Sequence, residues 1–142
     1  MLQKPTYDET KCNNYLYFSL KGEHFDPNII TSQLNIKPTN TRIKKDPIPK
    51  STSWEYKIHV GDEVDLKEPL EVLISIFEPL TEKINELKAK YNLKSLLQFV
   101  IYLDINPDAS TPFFGFNKKT IAFLHQTETE VDFDLYQADT TG

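Results

Sequence analysis

Histidine and cysteine side chains are the ones that most readily ligate a metal ion or act in nucleophilic catalysis. This chain of 142 residues has three histidines, His24, His59 and His125, and a single cysteine, Cys12. The histidines fall on three different predicted elements without ligand spacing, so a zinc site would have to be assembled entirely by the fold. No histidine lies near Cys12 in the sequence to lower the pKa of its thiol. We therefore assign no metal site, no cofactor and no catalytic residue.

Motifs that signal enzymatic chemistry are also absent from the sequence. There is no G-x-S-x-G, H-E-x-x-H or C-x-x-C motif, and the four glycines are never clustered as a phosphate-binding loop requires. Catalytic residues are assembled in space rather than in sequence, so an enzyme without a visible motif stays open as a third hypothesis. A non-catalytic protein is favoured.

Charge is distributed unevenly along a chain whose net charge is −5. Six basic residues lie between positions 37 and 57 against only Asp46 and Glu55, whereas the chain from Glu128 onward has five acidic residues and no basic one. An acidic protein is a poor ligand for nucleic acid, so no nucleic-acid partner is expected. Arg42 and Lys44 stand two apart on a short predicted strand and are the candidate anion-binding residues, with plain surface charge as the alternative.

Alternating and helical patterns indicate the elements that position these residues. In the segment STSWEYKIHV, Trp54, Tyr56 and Ile58 alternate with charged residues, which is typical of a strand with one buried face. The remaining predicted strands are 14–22, 39–45, 96–105 and 131–137, with a short strand at PFFGF. The predicted helices are a short one starting at Pro27, a helical region at 66–91 interrupted by Pro79, and a helix at 118–126 with Ile121, Leu124 and either His125 or Ala122 inward.

This order of elements predicts an α+β fold. We expect an antiparallel sheet of about five strands with helices packed on one face, a ferredoxin-like β-α-β-β-α-β core and a C-terminal α-β extension. Residues 14–137 are expected to form one globular domain, and residues 1–13 and 138–142 to be flexible. No apolar run is long enough to span a membrane and no signal peptide is recognised, so a cytoplasmic protein without a membrane partner is expected.

The sequence is similar to the bacterial family known as domain of unknown function 4279. The resemblance covers about residues 14–137 and is carried by YLYFSL, FDPNIITSQLNI, KPTNTRIKK, Trp54 in its strand, the helix broken at Pro79, and VDFDLY. A glycine is expected near the end of the basic segment, where this chain has Lys45 and Asp46. The resemblance implies a compact bacterial α+β domain and supplies no activity.

Strand alternation also predicts which side chains are available to a partner. If Trp54, Phe99 and Phe133 face the helices, several tyrosines and charged residues share the opposite face of the sheet. The candidate binding residues on that face are Tyr17, Lys57, His59, Tyr102, Asp132, Asp134 and Tyr136. Tyrosine offers a large contact area with a polar tip, which favours a protein-binding module of the inhibitor or immunity type. The alternative is a small-ligand or anion sensor with a pocket between sheet and helices near Trp54 and Arg42; the oligomeric state is left open.

Overall fold

The computed structural model describes residues 8–141, which contain five strands and four α-helices. In chain order they are β1 (Asn14–Gly22), α1 (Pro27–Leu34), β2 (Asn40–Arg42), β3 (Thr52–Gly61), α2 (Lys67–Phe77), α3 (Thr81–Tyr91), β4 (Lys94–Asp104), α4 (Lys118–Gln126) and β5 (Glu130–Ala138). The Asp26 carboxylate caps α1 by accepting a hydrogen bond from the Asn28 amide, and Pro27 occupies the first helical position. The Asn117 side chain caps α4 in the same way.

The strands form one sheet in the order β2-β3-β1-β4-β5. Neighbouring strands are antiparallel except for β4 and β5, which are parallel. The expected α+β class with five strands is therefore confirmed, but the sheet is mixed rather than wholly antiparallel. The difference arises because α4 carries the chain back to the starting end of β4, so that β5 runs in the same direction. Strand β3 lies between β1 and β2, and the ferredoxin-like description of the first six elements stays a prediction.

The main core lies between the helices and one face of the sheet. The Trp54 side chain is completely buried there, as the alternation predicts. Its indole Nε1 donates a hydrogen bond to Thr31 Oγ1 of α1 at 3.0 Å. Its ring contacts the Phe77 ring of α2 edge-on, with the ring centroids 6.1 Å apart. Phe18 of β1 packs between Phe77 and Phe123 of α4. Aromatic packing of this kind makes the helix-facing side of the sheet a filled core.

Pro79 interrupts the helical region 66–91, as expected. It lies in a short 3₁₀ turn, Glu78–Leu80, between α2 and α3. Proline has no amide hydrogen to donate to the preceding helical turn, which ends the α-helical hydrogen-bond pattern there. The two resulting helices each bury their own apolar residues in the same core.

The ammonium group of Lys88 joins α3 to β4 and to the turn that leads into β5. It donates to Ser95 Oγ at 2.8 Å, to the Glu128 carbonyl at 3.3 Å, and to the Thr127 carbonyl. Burial lowers the pKa of Lys88, because three neutral oxygens replace its hydration shell only in part, while the Glu128 and Glu130 carboxylates act in the opposite direction. The side chain therefore holds three elements together at one point.

Three local elements differ from the sequence prediction. The second strand is shorter than 39–45, and the PFFGF segment forms only one bridge, between Phe113 and Asp65. On α4, Leu124 packs against the core as expected, but Ile121 is 55% exposed and His125 is also exposed. Phe123 fills the inward position instead, since its ring reaches Phe18 at a centroid distance of 5.8 Å.

The two ends of the chain lie side by side in the described residues. The Asp139 amide donates a hydrogen bond to the Glu9 carbonyl at 2.7 Å, and Ala138, expected in a tail, is the last residue of β5 and is buried. Residues 1–7 and 142 lie outside the described residues. The flexibility of both ends stays a prediction.

Candidate functional site: the open face of the sheet

The register of the strands places the predicted binding residues on the face of the sheet opposite the helices. Tyr17 lies beside Lys57 in the β1–β3 pair, and Tyr102 lies beside Tyr136 in the β4–β5 pair. We call this surface the tyrosine face. It comprises Tyr15, Tyr17, Lys57, His59, Tyr102, Asp132, Asp134 and Tyr136. Four strands therefore contribute to one surface, and Tyr15 joins the residues predicted from the sequence.

Charges of opposite sign lie at opposite margins of the tyrosine face. Two rows of side chains run across β3, β1, β4 and β5, namely Lys57, Tyr17, Gln98, Asp132 and His59, Tyr15, Val100, Asp134. Neighbouring strands are about 4.8 Å apart, so the ends of each row are separated by roughly 14 Å. At this separation the basic and acidic side chains do not pair with each other across the face. The tyrosines therefore lie between Lys57 on β3 and the two aspartates on β5, while the Glu55 carboxylate also lies on the β3 side.

Aromatic contacts hold the centre of the tyrosine face together. The rings of Tyr15 and Tyr17 are stacked with centroids 6.4 Å apart, and the His59 ring is 5.9 Å from Tyr15. The Lys57 ammonium lies 4.3 Å from the centroid of the Tyr15 ring, within range of a cation–π interaction. These contacts restrict the rotamers of the exposed side chains, which reduces the entropy lost when a partner binds.

The phenol groups of β1 are held in their neutral form. Burial raises the pKa of Tyr17 to about 12, and the neighbouring Glu55 carboxylate adds to the shift. Burial also raises the pKa of Tyr15, with further contributions from Tyr102, Tyr136 and Asp134. Both hydroxyls therefore remain protonated near neutral pH and are able to donate as well as accept hydrogen bonds.

The candidate residues differ in how far they are exposed. His59, Asp132, Asp134 and Tyr136 are exposed, and Lys57 and Tyr17 are half-buried. Tyr102, which was expected on the exposed face, is only 5% exposed. Its ring stacks on Tyr136 with centroids 5.1 Å apart, and it belongs to a small second apolar cluster with Val100 and Ala138. A partner would contact the edge of this cluster rather than Tyr102 itself. Binding by these residues stays a prediction.

A buried serine lies beside the tyrosine face. Ser19 of β1 pairs with Glu55 of β3 and with Leu96 of β4, and it is completely buried. Within the described residues its hydroxyl oxygen has no hydrogen-bond partner. A buried hydroxyl without a partner loses its hydration without compensation, so Ser19 is a local cost to stability.

The candidate anion residues do not line a pocket with Trp54. Arg42 is opposite Ser53 in the β2–β3 pair, which puts it on the tyrosine-face side of the sheet, whereas Trp54 points to the helices. A ligand between sheet and helices is therefore unable to touch both residues, and the pocket expected near them is wrong in this respect. Lys44 forms an ion pair with Glu23 at 3.5 Å, which partly neutralises its charge. An anion site at Arg42 stays a prediction.

A hollow of about 640 Å³ lies at one end of the sheet, beside Cys12, Asp62 and Tyr102. Burial raises the pKa of the Cys12 thiol, and the nearby carboxylates of Asp104 and Asp62 raise it further. A thiol in this environment stays protonated and is a weak nucleophile. Within residues 8–141, no group of three His, Cys, Asp or Glu side chains is arranged to hold a metal ion. No helix in this part of the chain is long and apolar enough to cross a membrane.

Comparison with known proteins identifies a family but no individual relative. A family model with the description "Domain of unknown function (DUF4279)" matches residues 10–138. No curated protein and no solved structure matches the chain.

Proposed function

This chain belongs to the DUF4279 family, and we propose that it is a non-catalytic protein-binding module that contacts its partner through the tyrosine face. The observation that supports this proposal most directly is the arrangement of the two cross-strand rows. Each row places a tyrosine of β1 between Lys57 or His59 on β3 and an aspartate on β5. Protein interfaces commonly combine an aromatic centre with a charged rim.

The chemistry of the face favours a protein over other partners. Tyr17 and Tyr15 supply contact area with neutral hydroxyls, while Lys57 and Asp134 supply charges of opposite sign that orient the partner. A nucleic acid is disfavoured because Asp132 and Asp134 would repel its phosphates. The protonated thiol of Cys12 supports a non-catalytic role, since it is the chain's only cysteine.

An inhibitor or immunity-type role fits a small acidic domain of this kind. Such proteins act by covering a surface of another protein, which requires a pre-ordered face and no catalytic machinery. The stacked rings of Tyr15 and Tyr17 supply this order. We place this activity in the cytoplasm, where a lone cysteine needs no disulfide partner.

Affinity capture with matched baits tests the proposal. The baits are the wild type and the variants Lys57→Glu and Asp134→Lys at the two margins of the tyrosine face. The control bait is Lys90→Glu, at an exposed position of α3. Each bait is immobilised, checked for folding by circular dichroism, and exposed to lysate of the organism that encodes the chain. We expect one protein to be retained by the wild type and the control and to be reduced at least tenfold by both margin variants.

The outcomes separate the hypotheses clearly. A protein that both margin variants retain as well as the wild type does would show that the tyrosine face is not the contact surface. Retention of nucleic acid, or of nothing above a blank resin, would contradict protein binding. A bound small molecule released on denaturation of the native protein would instead support the sensor alternative.

A further inference from the structure

Strand β5 forms one edge of the sheet, with nine residues, Glu130–Ala138. On its outer side no strand of the described residues pairs with it, and only the Asp139 amide, just beyond its end, donates to the Glu9 carbonyl. The Phe133 amide donates instead to the Asp132 carboxylate at 2.9 Å, in an exposed position. An amide satisfied by its own neighbour's side chain points away from β4 and remains within reach of an incoming backbone carbonyl. A long edge of this kind is a template for another strand.

The two sides of β5 carry different chemistry. Glu130, Asp132 and Asp134 point to the tyrosine-face side. The Lys88 ammonium acts on Glu130, whereas Asp132 and Asp134 form no ion pair within the described residues. Phe133 and Leu135 point to the helix side, as expected, but they are 40% and 61% exposed because no helix of the described residues covers this edge.

The Phe133 ring packs against other aromatic rings. The centroid of the Phe133 ring is 5.1 Å from that of the buried Phe99 and 5.5 Å from that of Phe114, and the exposed rings of Phe133 and Phe114 form an apolar shelf beside the edge. Leu135 extends the shelf by one position along the strand. An apolar surface next to a strand edge that no other strand of residues 8–141 occupies is typical of a site that accepts a strand.

We propose that β5 binds an extended segment of a partner protein as a sixth strand, and that lysine or arginine alternates with apolar residues in this segment. Its basic side chains would lie beside Asp132 and Asp134, and its apolar side chains beside Phe133 and Leu135. Directly opposed side chains on neighbouring strands are about 5 Å apart, close enough for both kinds of contact. The proposal rests in part on the proposed function, since the two aspartates belong to the tyrosine face, and it specifies the partner's chemistry.

A second copy of this chain is a poorer occupant of the same edge. If two β5 strands paired antiparallel about Phe133 with their helices on the same side, Asp132 of one copy would lie opposite Asp134 of the other. Like charges directly opposite each other destabilise a strand pair. Charge complementarity therefore favours a basic segment over self-association.

Peptide binding measured by fluorescence anisotropy tests the inference. The probe is a fluorescein-labelled nine-residue peptide in which lysine alternates with valine, and the control peptide has the same composition with its lysines grouped at one end. We expect the alternating peptide to bind the wild-type chain at least tenfold more tightly than the grouped peptide. An attraction that depended on net charge alone would bind both equally, because the two peptides carry the same net charge.

Variants of the edge distinguish strand addition from other contacts. Leu135 is two residues from Phe133, so its amide points to the same outer side; Leu135→Pro removes that donor and is tolerated on an edge strand. We expect at least a tenfold loss of affinity for Leu135→Pro, and no more than a threefold loss for the matched Leu135→Ala. Lys90→Glu, at an exposed position of α3 outside the tyrosine face and β5, is expected to leave peptide binding unchanged.

Each result either supports or overturns the inference. Equal affinity for the two peptides, or wild-type affinity in Leu135→Pro with a native circular dichroism spectrum, would refute strand addition. A wild-type dimer that becomes monomeric in Leu135→Pro, measured by light scattering, would show that a second copy occupies the edge. The proposed function fails separately, if the Lys57→Glu and Asp134→Lys baits retain the captured protein as well as the wild type does.

Discussion

Replacement of Lys88 by methionine is expected to lower the free energy of unfolding by about 2 kcal/mol. Of its three acceptors, the Glu128 carbonyl belongs to an exposed residue and regains water, and Ser95 Oγ keeps its hydrogen bond with Thr129 Oγ1 at 2.8 Å. Thr127 is completely buried, and its carbonyl would keep only a long contact of 3.4 Å from Ser95 Oγ. The main cost is thus one buried carbonyl left poorly paired.

Urea denaturation followed by tryptophan fluorescence measures this effect, because Trp54 is the chain's single tryptophan and is buried. With a slope of about 2 kcal/mol per molar urea, the midpoint should fall by about 1 M. Lys90→Met, on the same helix but exposed, is the control and should stay within about 0.5 kcal/mol of the wild type. A midpoint for Lys88→Met equal to that of the control would refute the role given to this ammonium group.

Three further predictions concern β1 and α1. Ser19→Ala should raise the free energy of unfolding by about 1 kcal/mol in urea denaturation, since it removes a buried hydroxyl without a partner, and a loss of stability would contradict this. Burial and Glu55 raise the pKa of Tyr17 to about 12, so its contribution to stability is complete below about pH 10 and is lost as the pH rises toward 12. Between about pH 9 and 11 the wild type should therefore lose more stability than Tyr17→Phe, and equal losses would argue against this account. Asp26→Ala removes the cap of α1 and should cost about 1 kcal/mol by thermal denaturation, whereas an unchanged midpoint would show that the cap contributes nothing.

The strands whose two faces differ in polarity could be predicted well from sequence. Trp54 and Leu16 point to the core because a two-residue period fixes the face of every side chain once one face is buried. The parallel pairing of β4 and β5 could not be predicted, since it depends on the path of α4 rather than on the composition of either strand. The prediction of which residues of α4 face inward is wrong at Ile121. Ile121 and Phe123 are both apolar, and only contact with Phe18 decides between them.

Strand alternation also accounts for the part of the candidate site that could be predicted from sequence. Alternation shows on which side of its own strand a residue lies, but the relation between two strands requires their register. Arg42 and Trp54 were expected to share a pocket, and the pairing of Arg42 with Ser53 places them on opposite sides of the sheet. The exposure of Phe133 had no local signal either, because it results from the position of β5 at the edge.

The central position of β1 has a consequence for synthesis of the protein. This strand leaves the ribosome before the other four strands, yet its two neighbours in the sheet, β3 and β4, follow later in the chain. Until Asp104 has emerged, the nascent chain exposes the edge of β1 that pairs with β4, and the Phe18 ring lacks its contact with Phe123 of α4 until still later. Intermediates that expose apolar side chains and strand edges are prone to aggregate, and pairing between strands that are distant in sequence is slow. We therefore expect fragments that end before Lys94 to aggregate or to remain bound to chaperones.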